Sequence, residues 1–252
     1  MPQKNNNEDV FFGYQKVDQK TKLGLVNEIF SKVTDKYDLM NDLMSGGIHR
    51  IWKDTFCKMV DRLDGAILDM AGGTGDISAK LYKNSILAKL RPNITLSDLN
   101  IDMIDKARDR HYNKNILDIK YVSSAAENLP FPNGSFDYYL VSFGIRNFAN
   151  ITKSLQEAKR VLKPGGRFLC LEFSHPKHPI LAKLYGLYSK NIIPNIGGVL
   201  GDRDSYKYLV DSIETFPKAD EFSEIIRSCG MNSVSYRLLS GGIVAIHSAY
   251  KK

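Results

Sequence analysis

Residues 66–75, AILDMAGGTG, carry the densest chemical signal in the chain. A short apolar run ends in Asp69 and turns at once into glycines at 72, 73 and 75, with Asp76 directly after. Backbone without side chains at Gly72, Gly73 and Gly75 lets a ligand approach closely. A helix starting there offers unpaired N–H groups and a partial positive charge. Asp98 ends a second apolar run, ITLSD, 23 residues after Gly75. A carboxylate at that point can accept hydrogen bonds from two ribose hydroxyls. The arrangement describes a nucleoside site.

A dinucleotide fingerprint wants a third small residue and a pyrophosphate above the helix. Here Asp69 and Asp76 flank the loop, so they would repel a pyrophosphate and attract a cation. S-adenosylmethionine, a sulfonium nucleoside, fits that charge pattern better than NAD. Thr74 sits inside the loop and either bonds the donor's amino-acid end or stabilises the turn. Ala125 and Ala126, with Glu127, follow the third strand in SSAAENLPF; they either let an adenine lie flat or begin a helix. Ser142 ends the fourth strand and would face the methyl group.

Arg146 and Asn147 follow that strand in SFGIRN. They could hold an oxygenated acceptor, Arg146 by stabilising a phenolate rather than by taking a proton. The alternative for Arg146 is a structural bridge to a loop carboxylate. The block YDLMNDLMSGGIHRIWK clusters Asn41, His49 and Trp52, and His49 is a candidate acid or base or else a helix-terminal hydrogen bonder. His175, His178 and Glu172 suggest a metal at first sight. Prolines at 176 and 179 extend that segment, and sulfonium methyl transfer needs no metal, so none is expected.

These groups need a scaffold that brings strand ends together. Apolar runs near 66–71, 94–98, 119–122, 137–143 and 167–173 read as strands, with helical spacing between them. That alternation predicts a parallel sheet with helices on both faces. SVSYRLL, a Ser-Gly-Gly turn and IVAIHSAY then predict an antiparallel terminal pair. The expected fold is α/β, a Rossmann-like seven-stranded sheet of the class I S-adenosylmethionine-dependent methyltransferase type. One methyltransferase domain accounts for the chain: residues 1–20 as a disordered tail, 21–62 as a helical cap, 63–175 and 216–252 as the sheet, and 176–215 as a lid insertion.

With 252 residues, 43% hydrophobic and 25% charged, the chain is an ordinary globule. Cys57, Cys170 and Cys229 are far apart, which argues against zinc or a disulfide framework and for a reducing compartment. The net charge of +7 allows an acidic polymer, an anionic membrane face, or no functional role. No apolar stretch approaches the roughly 20 residues that span a bilayer. The N-terminus carries no targeting pattern, so a cytoplasmic protein is expected. Amino methylation of nucleic-acid bases typically uses an Asn/Asp-Pro-Pro-Tyr/Phe loop after strand four, where this chain has SFGIRN. No cysteine is placed for carbon methylation of pyrimidines, so nucleic acid is not an expected partner.

With these residues in hand, the chain resembles the ubiquinone/menaquinone biosynthesis C-methyltransferases, the UbiE/MenG family. The resemblance runs from FGYQKV at 12–17 almost to the end. It includes YDLMNDLMSGGIHRIWK, RVLKPGGRFLCLEFS (160–174), DRDSYKYLVDSI (202–213) and LLSGGIVAIHSAYK (238–251). It implies S-adenosylmethionine as donor, bound by Thr74, Asp98, Ala125, Ala126 and Ser142, to which the reading of the loop itself adds Asp69, Gly73 and Gly75. The family often has Asn or Asp where Ala125 stands, so only backbone is expected to reach the donor there. The implied acceptor is a polyprenylated quinol, methylated at a ring carbon. Its isoprenoid tail implies contact with the inner face of a membrane, and a homodimer and other quinone-biosynthesis enzymes are partners the resemblance allows. Segment 177–200 suits that contact: Leu181, Leu184 and Leu187 form an apolar stripe with Lys177, Lys183 and Lys190 at its edge. The alternative is a lid helix packed on the core.

Overall fold

The computed structural model describes residues 10–34, 37–188 and 203–252. Strands β3 (Ala66–Met70), β4 (Asn93–Asp98), β5 (Ile119–Ser123), β6 (Phe136–Ser142), β7 (Leu162–Phe173), β8 (Asn232–Leu239) and β9 (Val244–Tyr250) form one sheet in the order β5-β4-β3-β6-β7-β9-β8. Only β9 runs against its neighbours, inserted between β7 and β8. The reversal at Ser240–Gly242 uses φ of 68° at Gly241 and 96° at Gly242, a region glycine enters without steric cost.

Successive side chains on a strand face opposite sides, and the cores divide accordingly. Ile67, Leu140, Leu169 and Leu171 join one cluster; Leu68, Tyr139, Val141, Phe168 and Cys170 join the other. The first lies under α3 (His49–Cys57), α4 (Asp76–Leu87) and α5 (Ile101–Tyr112). The second lies under α6 (Ile151–Val161) and α9 (Ala219–Ser228). Burial on both faces is why the central strands read as near-continuous apolar runs. Helices α5 and α6 are each started by an asparagine: Asn100 and Asn150 accept from the N–H groups of Met103 and Lys153, both at 2.9 Å.

The cap consists of α1 (Gln19–Val33), α2 (Tyr37–Ser45) and α3, with Gly46 and Gly47 breaking the last two where expected. Three expectations change. Residues 10–17 are not a tail. They form a ribbon of β1 (Val10–Phe12) and β2 (Gln15–Val17) around Gly13, held by Phe12 stacked 4.3 Å from Tyr208 and by the Tyr14 hydroxyl donating to Glu214 at 2.6 Å. The second part of the expected lid, α8 (Arg203–Glu214), is a core helix that buries Tyr206, Leu209, Val210 and Ile213. The stripe on α7 (Pro179–Leu187) is divided: Leu181 packs against Gly241, while Ile180, Lys183 and Leu187 face outward. The side chain of Leu184 and all of Lys190 lie outside the described residues, as do residues 1–9. Lys177 is engaged, donating to the Tyr236 hydroxyl at 3.2 Å. No described helix is long and apolar enough to cross a membrane.

Candidate functional site

Beyond β3 the chain turns sharply at Ala71 (φ 53°) and Gly73 (φ 53°), and Gly75 (φ 83°) caps α4. The three loop glycines serve different needs. A side chain on Gly72 would sit 2.6 Å from Leu96, and one on Gly75 would sit 2.5 Å from the His111 ring. That ring is clamped, with Nε2 donating to the Gly75 carbonyl at 2.9 Å and Nδ1 taking the Tyr121 hydroxyl at 2.7 Å. Packing therefore demands Gly72 and Gly75. Gly73 alone of the three faces the main cleft.

That cleft runs along the C-terminal ends of β3, β4, β5 and β6 and is open to solvent. Sheets of this kind bind ligands at such a place, where the strand order reverses between β3 and β6. Asp98, Asn100, Ala125, Ala126 and Asn147 line it, and α1 closes it with Leu23, Val26 and Phe30. Asp98 is half-buried. Its two oxygens accept from the Gly73 and Asn100 N–H groups, both at 2.9 Å. Burial holds its carboxyl above the usual range against those bonds. Each carboxylate oxygen keeps a further lone pair for a ligand hydroxyl. Ala125 and Ala126 belong to a turn, with the Asn128 N–H donating to the Ala125 carbonyl at 3.1 Å, so no helix begins there. Glu127 lines the same cleft, and its carboxylate accepts from the Asn150 N–H at 3.0 Å, tying the turn to α6.

A smaller cleft of about 280 Å³ lies on the other side of Ala71, lined by Lys53, Asp69, Thr74, Asp76 and Ser142. The Thr74 and Ser142 hydroxyls are buried here with no protein partner. An unmet buried hydroxyl costs about 1–3 kcal/mol, so the pair marks room for a polar ligand. Asp69 is fully enclosed and accepts from Ser78 through its N–H (3.1 Å) and its hydroxyl (2.6 Å). Burial, with the Asp98 charge adding, pushes its carboxyl up to about 6. Asp76 behaves otherwise. Burial raises it, but Lys53 at 2.8 Å and Arg110 at 3.4 Å outweigh burial and hold it below the usual range. Of the two acids expected to attract a cation, Asp76 is already neutralised within the protein and Asp69 remains.

The expected acceptor-binding residues separate. Arg146 sits in a short 3₁₀ turn, Ile145–Asn147, and is consumed by structure. Its Nη1 donates to the Glu172 carboxylate at 2.9 Å and to the Phe143 carbonyl at 2.6 Å, and its Nε to Ser212 at 3.2 Å. The guanidinium stacks over Phe173. Arg146 is thus the structural bridge, and the phenolate role assigned to it is withdrawn. Asn147 lines the main cleft, its Oδ1 held by the Tyr208 hydroxyl at 3.0 Å. His49 lines neither cleft. Its Nε2 bonds Asp42 at 2.9 Å, and burial, helped by Lys53 and Arg50 against Asp42, holds it below the usual histidine range. A role as the ring base is not supported there. Trp52, by contrast, packs at 6.2 Å from both Phe143 and Phe173, and its Nε1 donates to Ser240 at 2.8 Å, joining the cap to the terminal turn.

Lys53 and the α1 wall were not anticipated from sequence. The spacing of Leu23, Val26 and Phe30 at three and four residues was the available signal for the wall. For Lys53 there was none, because its partner Asp76 is 23 residues away.

A solved S-adenosylmethionine-dependent methyltransferase of Thermotoga maritima shares this fold, with a TM-score of 0.63 at 19% identity over 90% of this chain and all of that one. Phosphoethanolamine N-methyltransferase 2 of Haemonchus contortus, solved with S-adenosyl-L-methionine, matches 79% of this chain and 52% of its own, with a TM-score of 0.56 at 14% identity. Among curated sequences, the ubiquinone/menaquinone biosynthesis C-methyltransferase UbiE of Rickettsia massiliae is 51% identical over 96% of this chain and 98% of its own. That of Rickettsia bellii is 50% identical over 95% and 98%. The profile of the ubiE/COQ5 methyltransferase family matches residues 15–251, and the chain belongs to that family.

Proposed function

We propose that the chain transfers the methyl group of S-adenosylmethionine to a ring carbon of a polyprenylated quinol in ubiquinone or menaquinone biosynthesis. The acceptor is a demethylmenaquinol, a 2-methoxy-6-polyprenyl-1,4-benzoquinol, or both. The observation that carries the reading is the pair of clefts flanking Ala71, one apolar with a ribose-binding acid and one holding two unmet hydroxyls. When bound, the donor supplies an electrophilic methyl group on a positively charged sulfur.

Asp98 accepts from the ribose hydroxyls, and Ala125 and Ala126 give the adenine a flat wall. Thr74 and Ser142 bond the amino-acid end, and ionised Asp69 sets a negative charge beside it. With its Oδ1 held by Tyr208, Asn147 offers its amide N–H groups to an acceptor oxygen. A quinol whose hydroxyl has lost its proton pushes charge into the ring. Phe143, Phe148 and α1 would hold the ring against the donor. As the ring carbon takes the methyl group, the S–CH₃ bond would break to leave S-adenosylhomocysteine, and the displaced ring proton would pass to water. The apolar wall excludes water and strengthens the attraction between phenolate and sulfonium. The α7 face carrying Ile180, Lys183 and Leu187 rests peripherally on the membrane that holds the isoprenoid tail.

Incubation with methyl-labelled donor and each reduced quinol is the test. Label on a ring carbon of at least one quinol is expected. Label on neither, with bound donor intact, overturns the acceptor assignment. Liposome flotation of Ile180→Ser/Leu187→Ser protein reads the membrane face; flotation equal to the native chain removes it.

A further inference from the structure

Outside both donor clefts, a third basin lies between α3, α4 and the end of α5, with about 1060 Å³ of empty space. Arg50, Lys53, Lys80, Lys83, Arg110 and Lys114 line it, against a single carboxylate, Asp76. Four of these cations meet acids: Arg50 with Asp42, Lys53 and Arg110 with Asp76, and Lys80 with Asp54. Lys83 and Lys114 enter no ion pair that the described residues show, and they leave the basin with uncompensated positive charge. On α4 the set is built by spacing, since positions 76, 80 and 83 share one helical face. His49 forms part of the wall; it is 5% exposed, and its Nδ1 is buried without a partner. Burial, with the Lys53 and Arg50 charges adding against Asp42, holds that ring below the usual histidine range.

We propose that this basin binds clustered phosphate groups, as a diphosphate or the headgroups of anionic phospholipids carry them. Like charges facing one another across a hollow repel, and a multivalent anion relieves that repulsion. Arginine forks and lysine ammonium groups are the two side-chain types that bind phosphate oxygens best. An apolar group follows on the same face of α4: Leu87, one turn beyond Lys83, is 82% exposed. Lys53 and Asp76 also line the small donor cleft, so the anion and the methyl donor share a wall.

Two titrations of the whole chain test this. One follows inorganic diphosphate by calorimetry. The other follows sedimentation with vesicles of phosphatidylcholine, with and without phosphatidylglycerol. Donor affinity measured in parallel shows that each variant is folded. Native protein should bind diphosphate, and Lys83→Glu/Lys114→Glu should weaken that by about tenfold or more, the milder Lys83→Gln and Lys114→Gln by less. Phosphatidylglycerol-dependent sedimentation that the double variant loses assigns the phosphate to lipid. Diphosphate binding without sedimentation assigns it to a free ligand. No response to either probe, or binding that charge reversal leaves unchanged, overturns the proposal. So does retention of a duplex oligonucleotide by protein that ignores diphosphate. The readout is binding alone, so its failure leaves the methyl-transfer reading untouched.

Discussion

Ser142 and Arg146 are four residues apart, on two sides of the same strand end, and their surroundings contrast. Ser142 shares a cleft with Thr74, where two buried hydroxyls meet no protein group. Arg146 is enclosed by Glu172, Ser212, the Phe143 carbonyl and the Phe173 ring. Buried polar groups are normally paired, so the unmet ones point to a ligand and the satisfied ones to the frame that holds the cleft in shape. Residue type alone suggests the reverse order of importance. An arginine beside a donor site looks more catalytic than a serine does.

The largest expected effect breaks the satisfied side. Arg146→Ala leaves the Glu172 carboxylate buried and uncompensated, which should cost about 3–5 kcal/mol of stability. A thermal melt should show a fall of roughly 10 °C for a chain of this size. A variant that melts normally yet loses only turnover would restore Arg146 to the acceptor.

On the ligand side, Asp98→Ala should weaken donor binding about 100-fold or more, because the carboxylate held by the Gly73 and Asn100 N–H groups would no longer be there to accept from the ribose hydroxyls. Calorimetric titration checks it. Ser142→Ala and Thr74→Val sharpen the contrast further. Each should lower donor affinity about fivefold while leaving the donor-free protein as stable or up to about 1 kcal/mol more stable, since an unmet hydroxyl is removed. A loss of stability in the donor-free state would show that these hydroxyls serve the frame.

The smallest effect is in pH. Asp69 rises from 3.8 to about 6 on folding. The folded state then holds that proton better than the unfolded chain does. Its contribution to stability is full below the unfolded value of 3.8 and is lost as pH rises through about 6. Donor binding runs the other way, because the ionised carboxylate attracts the donor's positive groups. Donor affinity should climb severalfold as pH rises through about 6, and Asp69→Asn should flatten that climb.

Sequence reached the sheet because each strand and each breaker is a local pattern. ILDM, ITLSD and the Ser-Gly-Gly reversal announce themselves within a few residues, and strand boundaries agree within one or two residues at most positions. Strand β7 is the exception: its apolar run reads as 167–173, but the strand begins at Leu162 and takes in residues 163–166. Gly73, Thr74, Asp98, Ala125, Ala126 and Ser142 gather as expected because they sit at the ends of strands whose order follows from the fold. The misreadings within the site share one cause. Arg146 finds Glu172 on the next strand, Asp76 finds Lys53 on the cap, and Gly75 yields to His111. Each role is set by a partner 23 to 36 residues distant, which spacing does not reveal. The ribbon at 10–17 escaped because its strands are three residues each, and they are ordered by docking of Phe12 on Tyr208 and of Tyr14 on Glu214, far along the chain.

The indole of Trp52 is the chain's one fluorophore of its kind, wedged against two phenylalanines and tethered to Ser240. Undocking of the cap from the terminal reversal would release it to solvent and shift its emission to the red. The fold thus contains its own optical gauge of cap closure, readable in a cuvette without any label.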